Sequence, residues 1–428
     1  MKIIKIKNNY WIRDMGWFYF LFFFFYVKIF LGCDFMKIND IYEVNIIDDN
    51  HNGCGIAKIN GIPIFIFGTL LGDKVKIRIT YVNKKYAIGE VLSYIKCTSH
   101  EEVKCPYYGI CGGCDLLHVS FDKENKLKRK YISKLFNGFD INISFHNRFG
   151  YRNKVVLHVK DGKIGFYRKE SNNIVTIKRC LLVSDKMNEL IDSLNELNLC
   201  FVTEIVIKEG IDAILLSIYG KISSGDLESI ISNKYVKSIY QNDTLIYGNL
   251  YITQSFNNIK YLVNNNSFFQ VNNECALDLY EYIKSLVGNT NDLLDLYCGT
   301  GSIGIYLSDV CKSVLGVERN SDSVLCAREN MKINNINNYE IILGDASEIS
   351  KKFDVIVVDP PREGLSKTVI NNLNNMKAQK IIYVSCNPST LKRDILLLDN
   401  YNLKSIRVFN MFPATKHIEC VVLLERKD

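Results

Sequence analysis

LLDLYCGTGSIGIYL, residues 293–307, decides the fold of this chain. Leu293, Leu294 and Leu296 read as a strand buried on both faces, and Ile303 to Leu307 open a helix. Between them Gly299, Gly301 and Gly304 form G-x-G-x-x-G. Strand, glycine turn and helix in this order make a Rossmann-like crossover that brings backbone N–H groups close to an adenosine-bearing cofactor. Glu318, at the end of SVLGVE, stands about 20 residues on, where such a site holds ribose hydroxyls. The glycines alone fit a dinucleotide or S-adenosylmethionine. Asp295 decides for the second, because a carboxylate ahead of the glycines repels a pyrophosphate but accepts from the ammonium of a methionine moiety.

Working outward, the parallel sheet continues through YEIILGDA, with Asp345 at a strand tip beside the adenine position, and FDVIVVDPPREG (Phe353 to Gly364), which carries Asp359. IIYVSCNPSTLKRD (Ile381 to Asp394) follows, and LKSIRVFNMF with IECVVLLER closes the sheet as an antiparallel pair. Upstream, SFFQVNNECALDLYEYIKSLVG (Ser267 to Gly288) predicts a helix capped by Asn273, with Ala276, Leu279, Ile283 and Leu286 inward and Gly288 as its stop.

Cys386 sits at a strand's C-terminal tip. Asn387 is suited to cap the next helix, Pro388 to its first position, and Leu391, Ile395 and Leu398 to its apolar face. The positive end of that helix dipole is expected to favour a thiolate. Most free cysteines are only small buried residues, so the neighbours must carry the argument.

The 428 residues suffice for two or three domains, and 47% hydrophobic with 23% charged residues is ordinary for a soluble globular protein. A net charge of +7 is compatible with an anionic partner without identifying one. Fourteen cysteines are too sparse for a disulfide scaffold and imply reduced thiols in a cytoplasmic protein. Residues 1–35 are the anomaly. WFYFLFFFFYV (Trp17 to Val27) follows Lys2, Lys5, Lys7 and Arg13, yet is too short to span a bilayer and lacks a clear signal-peptide cleavage site. Met36 is therefore read as the start, and no membrane is expected unless the extension is real. From Ile38 to Tyr94 five short alternating stretches with Gly, Asn and Asp turns predict a small closed barrel.

CPYYGICGGC places Cys105, Cys111 and Cys114 within ten residues of Gly-rich loop, a metal-ligand spacing. A fourth thiolate is needed, with Cys180 the best candidate and Cys97 second; an Fe–S cluster and zinc fit equally on this ground. Phe121 to Phe136 reads as an amphipathic helix with Leu127, Tyr131 and Leu135 on one face and Lys123, Lys126, Lys128, Arg129 and Lys130 elsewhere, normally a solvated face. Arg148, Arg152 and Lys154 lie beside aromatics, a mixture suited to phosphates and bases. Residues 151–255 suggest an α+β domain with a helix near Ser184 to Leu197.

Taken together, DLYCGTG, VDPPREG, SCNPSTLKRD and FPATKHIECVVLLER, preceded by FFQVN and the cysteine set, resemble the RNA uracil-C5 methyltransferase family. The barrel, with GCGIA at Gly53 to Ala57 and Gly72-Asp73, resembles a TRAM domain, an OB-like RNA-binding module. The resemblance implies a multidomain α/β protein: a TRAM barrel over 36–95 after the apolar extension 1–35, an α+β central domain over 96–262 with a [4Fe-4S] cluster, and a Rossmann-like methyltransferase domain over 263–428. It implies cluster ligation by Cys105, Cys111, Cys114 and Cys180, and S-adenosylmethionine binding by Gln270, Tyr297, Ser302, Glu318, Asp345 and Asp359. Cys386 would be the nucleophile and Glu419 the base, with RNA as partner, ribosomal RNA preferred over transfer RNA, and no protein partner inferred.

The chemistry also stands on its own. Uracil C5 is a weak nucleophile, and addition of a thiolate at C6 concentrates enolate charge there. After C5 has taken the methyl group, a base must remove its proton so that the thiol can leave. Three other readings explain less. In amino-group methyltransferases with a [DN]PP[YF] loop an aromatic stands where this chain has Arg362, and an NAD-dependent oxidoreductase or a zinc-holding RNA-binding protein leaves Cys386 and Glu419 idle.

Overall fold

The computed structural model describes residues 36–428; the apolar segment 1–35, and the expectation about its start, lie outside them. Among the described residues no helix is long and apolar enough to cross a membrane.

The first unit is a barrel of six strands rather than five: β1 (Ile41–Asn45), β2 (Asp48–Asp49), β3 (Cys54–Ile59), β4 (Ile62–Phe67), β5 (Lys74–Val82) and β6 (Ala87–Lys96), in the order β1-β5-β6-β4-β3-β2. Alternation drives it: β5 buries Val75, Ile77 and Ile79 and exposes Lys76 and Arg78. The end strands β1 and β2 are joined by Ile46 and Ile47 alone. The Ile47 N–H donates to Ile56 O (2.9 Å) and the Ile46 N–H to Asp73 O (2.9 Å), which curls the sheet closed.

A basic helix, α1 (Phe121–Leu135), and a short strand, β7 (Asn142–Ser144), follow. Then comes a seven-stranded sheet from β8 (Lys154–Lys160), β9 (Lys163–Tyr167), β10 (Ile174–Thr176), β11 (Val202–Glu209), β12 (Ile214–Gly220), β13 (Val236–Gln241) and β14 (Thr244–Gly248), ordered β10-β9-β8-β11-β12-β13-β14. α2 (Asp185–Leu194), capped by Ser184, buries Met187, Leu190, Ile191 and Leu194. α3 (Ser224–Ile231) provides the crossover between the parallel pair β12 and β13. The hairpin β15 (Ile252–Phe256) and β16 (Ile259–Val263) leads on to the last unit.

There α4 (Asn273–Val287), β17 (Thr290–Leu296), α5 (Ser302–Leu307), β18 (Cys311–Glu318), α6 (Ser321–Ile333), β19 (Tyr339–Leu343), β20 (Val355–Val358), α7 (Lys367–Met376), β21 (Lys380–Ser385), α8 (Pro388–Leu397), β22 (Tyr401–Phe409) and β23 (Glu419–Arg426) build an eight-stranded sheet, ordered β19-β18-β17-β20-β21-β23-β22-β7. The strands from β19 to β21 are parallel, and β23 is antiparallel to both β21 and β22. Chain order reverses between β17 and β20, so ligands belong at the C-terminal tips of those strands.

Four further expectations are corrected. Residues 121–144, within the span expected for the central domain, give α1 and β7 to the C-terminal unit: β7 pairs with β22, and Ile132, Phe136 and Ile141 join its core. The cap of α4 is Asn272, which accepts from the Cys275 N–H; Asn273 instead bonds Gln254 and Asn153. The face of α1 is not wholly solvated. Lys128 is fully buried and donates to Glu124 (3.1 Å), Asn410 (2.7 Å) and Phe412 O (3.1 Å), as a buried ammonium must. Arg148 is also structural, donating to Leu116 O and Val119 O and pairing with Glu124 at 3.2 Å.

Candidate active site

The turn after β17 needs its glycines. Gly299 and Gly301 have φ of 53° and 75°, and Tyr297 joins them at 63°. A Cβ on Gly304 would lie 2.5 Å from the Tyr339 ring, so helix and sheet meet only because that position is bare. Asp295, 1% exposed, accepts through Oδ2 from the Gly304 N–H (3.0 Å) and the Tyr339 hydroxyl (2.9 Å). Its Oδ1 is buried with no hydrogen-bond partner, an acceptor left for an ammonium. Burial and the Glu318 charge push the Asp295 pKa up to about 7, opposed by its two hydrogen bonds.

The Glu318 carboxylate accepts from the Gly299 N–H (3.1 Å) and the Asn320 N–H (2.8 Å), facing the turn. Ser302 Oγ lies 2.8 Å from the Tyr280 hydroxyl. Asp345 is exposed beyond β19 and accepts from the Ser347 N–H (2.8 Å), which with the Ser347 side chain lowers its pKa. Gln270 is 8% exposed in a loop held by Asn153, which donates to Gln270 O, and by Lys208, which donates to Asn264 O, Asn265 O and Ser267 O. Asp359 follows β20, and burial together with Asp295 raises it to about 7. Asp295, Glu318, Asp345 and Asp359, scattered in sequence, stand at or just beyond the C-terminal ends of β17, β18, β19 and β20.

Cys386 follows β21 one residue beyond Ser385, which pairs with Cys420 in β23. Extending that antiparallel register by one residue sets Cys386 opposite Glu419. Glu419 is 5% exposed; burial, then Asp359, raises its pKa well above the ordinary value, while Arg362 opposes this. For Cys386 the surroundings oppose the thiolate expected from the helix N-terminus. Burial, followed by the Glu419 and Asp359 charges, raises the thiol to about 11, against the Arg362 guanidinium within hydrogen-bonding reach of the sulfur.

Arg362 is held through its backbone by the helix that follows Cys386. Asn387 Nδ2 (3.1 Å) and Thr390 Oγ1 (3.2 Å) donate to Arg362 O, and Arg393 donates to Glu363 O (2.8 Å). Fully buried Asp394 accepts from the Leu365 N–H (2.8 Å) and the Tyr383 hydroxyl (2.7 Å). Sequence reasoning missed this clamp, although the polar residues of NPSTLKRD were its signal.

Cys105, Cys111, Cys114 and Cys180 line one cavity of about 960 Å³, all half-buried. Burial, then the charges of the other three, pushes the Cys114 thiol up. Among the described residues, the one His, Cys, Asp or Glu trio with ligand atoms all within 4.8 Å is Asp73, Cys97 and His100. Cys97 thus stands with the barrel rather than the quartet. Both Asp73 oxygens are already engaged there, by the Leu70 and Thr98 N–H groups, the Thr98 hydroxyl and His100. The cysteine loop also braces the segment before Glu419: the Asp115 and Leu116 N–H groups donate to Ala414 O (both 2.9 Å), and Asp115 accepts from the Lys416 N–H (3.1 Å).

Fold and strand-tip chemistry define a methyltransferase with an adenosine-bearing methyl donor. Residues 221–427 match the tRNA (uracil-5-)-methyltransferase family and residues 37–92 the TRAM domain. The chain belongs to the S-adenosylmethionine-dependent RNA (uracil-5-)-methyltransferases. It is 30% identical to an uncharacterized RNA methyltransferase of Halalkalibacterium halodurans, over 91% of this chain and 98% of that one. It is 32% identical to another from Clostridium acetobutylicum, covering 92% and 98%. The Pyrococcus abyssi tRNA (uracil-54, C5)-methyltransferase, solved with S-adenosyl-L-homocysteine, superposes with a TM-score of 0.76 at 28% identity, over 90% of this chain and all of that one.

Proposed function

We propose that this enzyme methylates uridine C5 in RNA through a covalent adduct between Cys386 and C6, with Glu419 as the base that releases it. The observation that carries this reading is the β21–β23 pairing, which ends at Ser385 and Cys420 and so brings the next residues, Cys386 and Glu419, together beside Arg362 and Asp359. Addition of the Cys386 sulfur to C6 moves charge to C5; C5 then gains the methyl group, Glu419 takes the C5 proton, and the C6–S bond breaks. The target base must be unpaired or extruded to reach the sulfur. Gln270, Tyr297, Ser302, Glu318, Asp345 and Asp359 are the proposed cofactor contacts, and the unpartnered Asp295 Oδ1 fits the donor's ammonium.

Cys105, Cys111, Cys114 and Cys180 would hold a [4Fe-4S] cluster. A cluster gives each of four thiolates its own iron, and its role here would be to fix the loop bracing Ala414 and Lys416.

Ribosomal RNA is the preferred substrate, on the joint presence of the barrel and the cysteine set; transfer RNA is the second reading, favoured by the likeness to the Pyrococcus enzyme. Mapping 5-methyluridine in total RNA from cells with and without the gene decides between them. Cys386→Ala should abolish methylation while S-adenosylmethionine still binds; full activity in that variant refutes the covalent route.

A further inference from the structure

The barrel reaches the nucleophile. His51 and Asn52, in the turn between β2 and β3, line a pocket of about 230 Å³ together with Tyr131, Arg362, Cys386 and Lys416. The His51 ring stacks on Tyr131 with centroids 3.8 Å apart and planes at 22°. The stack is fixed from both sides. Lys123 pairs with Asp49 (2.7 Å), and Lys130 and Lys134 pair with Asp48, tying the turn to α1. The Tyr131 hydroxyl lies 3.3 Å from Ser389 Oγ, in the first turn of the helix after Cys386.

These ion pairs already dock the barrel on α1, so the stack is not needed for that. It is only partly buried, and it faces a pocket that also holds the nucleophile and two cations. Burial and the charges of Lys128 and Lys416 depress His51 to about 4, so its ring is neutral near pH 7. A flat uncharged ring pair edged by cations is the surface on which bases stack without sequence preference.

Resting on the uracil-C5 reading, we infer that the His51–Tyr131 stack is a shelf for the nucleobase adjoining the extruded uridine. The barrel then positions the target for Cys386 as well as adding general affinity for RNA.

The holoenzyme is incubated with S-adenosylmethionine and total cellular RNA in which 5-fluorouracil replaces uracil. Fluorine at C5 cannot be removed as a proton, so the Cys386 adduct persists. Short-wave ultraviolet irradiation, nuclease digestion and peptide mapping should find a second nucleotide on the peptide carrying His51 or Tyr131 in adduct-bearing chains. With unmodified RNA, His51→Ala and Tyr131→Leu should each raise the RNA KM about tenfold. The S-adenosylmethionine KM should stay unchanged, and Tyr131→Phe, which keeps the ring, should keep most of the RNA affinity. Adduct at Cys386 without crosslinks at either ring, and with unchanged RNA KM in both variants, overturns the shelf. Absence of any Cys386 adduct overturns the uracil-C5 reading itself.

Discussion

Asp295→Asn should reverse its effect on stability between acid and alkaline pH. The Asp295 pKa is raised from 3.8 to about 7, so between these values the folded chain holds a proton that the unfolded chain has released. Stability from this group is fully present below pH 3.8 and is lost as pH rises through about 7. The interval is about three units, or about 4 kcal/mol at ~1.4 kcal/mol per unit. Asparagine keeps the oxygen that accepts from Gly304 and Tyr339 and places an NH2 group where Oδ1 has no partner. An unpaired NH2 costs about 1–3 kcal/mol at every pH. The variant should therefore be the less stable form near pH 4 and gain on the wild type as pH rises, overtaking it at about pH 4.5–6, where the wild type's loss of ~1.4 kcal/mol per unit has offset that cost. Asp359 and Glu419, raised in the same direction, leave a residual slope. Urea melts of the cofactor-free protein at half-unit steps from pH 4 to 8.5 read this directly. Parallel curves for the two proteins would refute the assignment of a buried, cofactor-awaiting carboxylate to Asp295. Calorimetry should show S-adenosylmethionine binding weakened about 10- to 100-fold in the variant, the loss of one charge-assisted hydrogen bond.

Glu419→Gln should accumulate a methylated RNA–protein adduct visible as a denaturation-resistant gel shift, and rapid turnover without adduct would exclude Glu419 as the base. Cys114→Ser should remove most of the iron from anaerobically purified protein and its broad visible absorption; stoichiometric zinc in a colourless wild-type preparation would contradict the cluster. Lys128→Met leaves the buried Glu124 with one cation fewer and frees Phe412 O, so it should cost about 3 kcal/mol in urea melts and slow methylation; wild-type stability would show that this network carries little.

How much was legible follows from how local each determinant is. The strand, glycine turn and helix at residues 293–307 depend on neighbours in sequence, and the structure has them as β17, turn and α5. So does the cap at Asn387, which accepts from the Ser389 N–H with Pro388 in the first turn. Asn272 and Asn273 are equally good caps, and only the bonds of Asn273 to the distant Gln254 and Asn153 decide between them. Lys128 looked solvated because its partners Asn410 and Phe412 lie 282 and 284 residues away. The Cys386 surroundings were hidden for the same reason: a local reading contains the helix N-terminus but neither the burial of the thiol nor the carboxylates brought by β20 and β23.

That raised pKa changes what makes Cys386 reactive. With the thiol pushed up to about 11, Cys386 rests as the thiol near pH 7, and the proposed addition to C6 needs neighbouring groups that favour the thiolate. Two of the opposing influences, Glu419 and Asp359, are carboxylates whose own pKa values are raised, and their repulsion fades when they carry protons. Arg362 is the cation that acts on both Cys386 and Glu419, favouring thiolate at one and carboxylate at the other, the two forms that addition and release require. Its placement depends on Asn387, Thr390, Arg393 and Asp394 gripping the backbone from Arg362 to Leu365. Gly364 is part of the same device: at φ 77° its missing Cβ would lie 2.4 Å from Asp394 Oδ2, so the loop closes on the helix only with glycine there. SCNPSTLKRD thus carries the proposed nucleophile together with the side chains that hold the loop of the neighbouring cation.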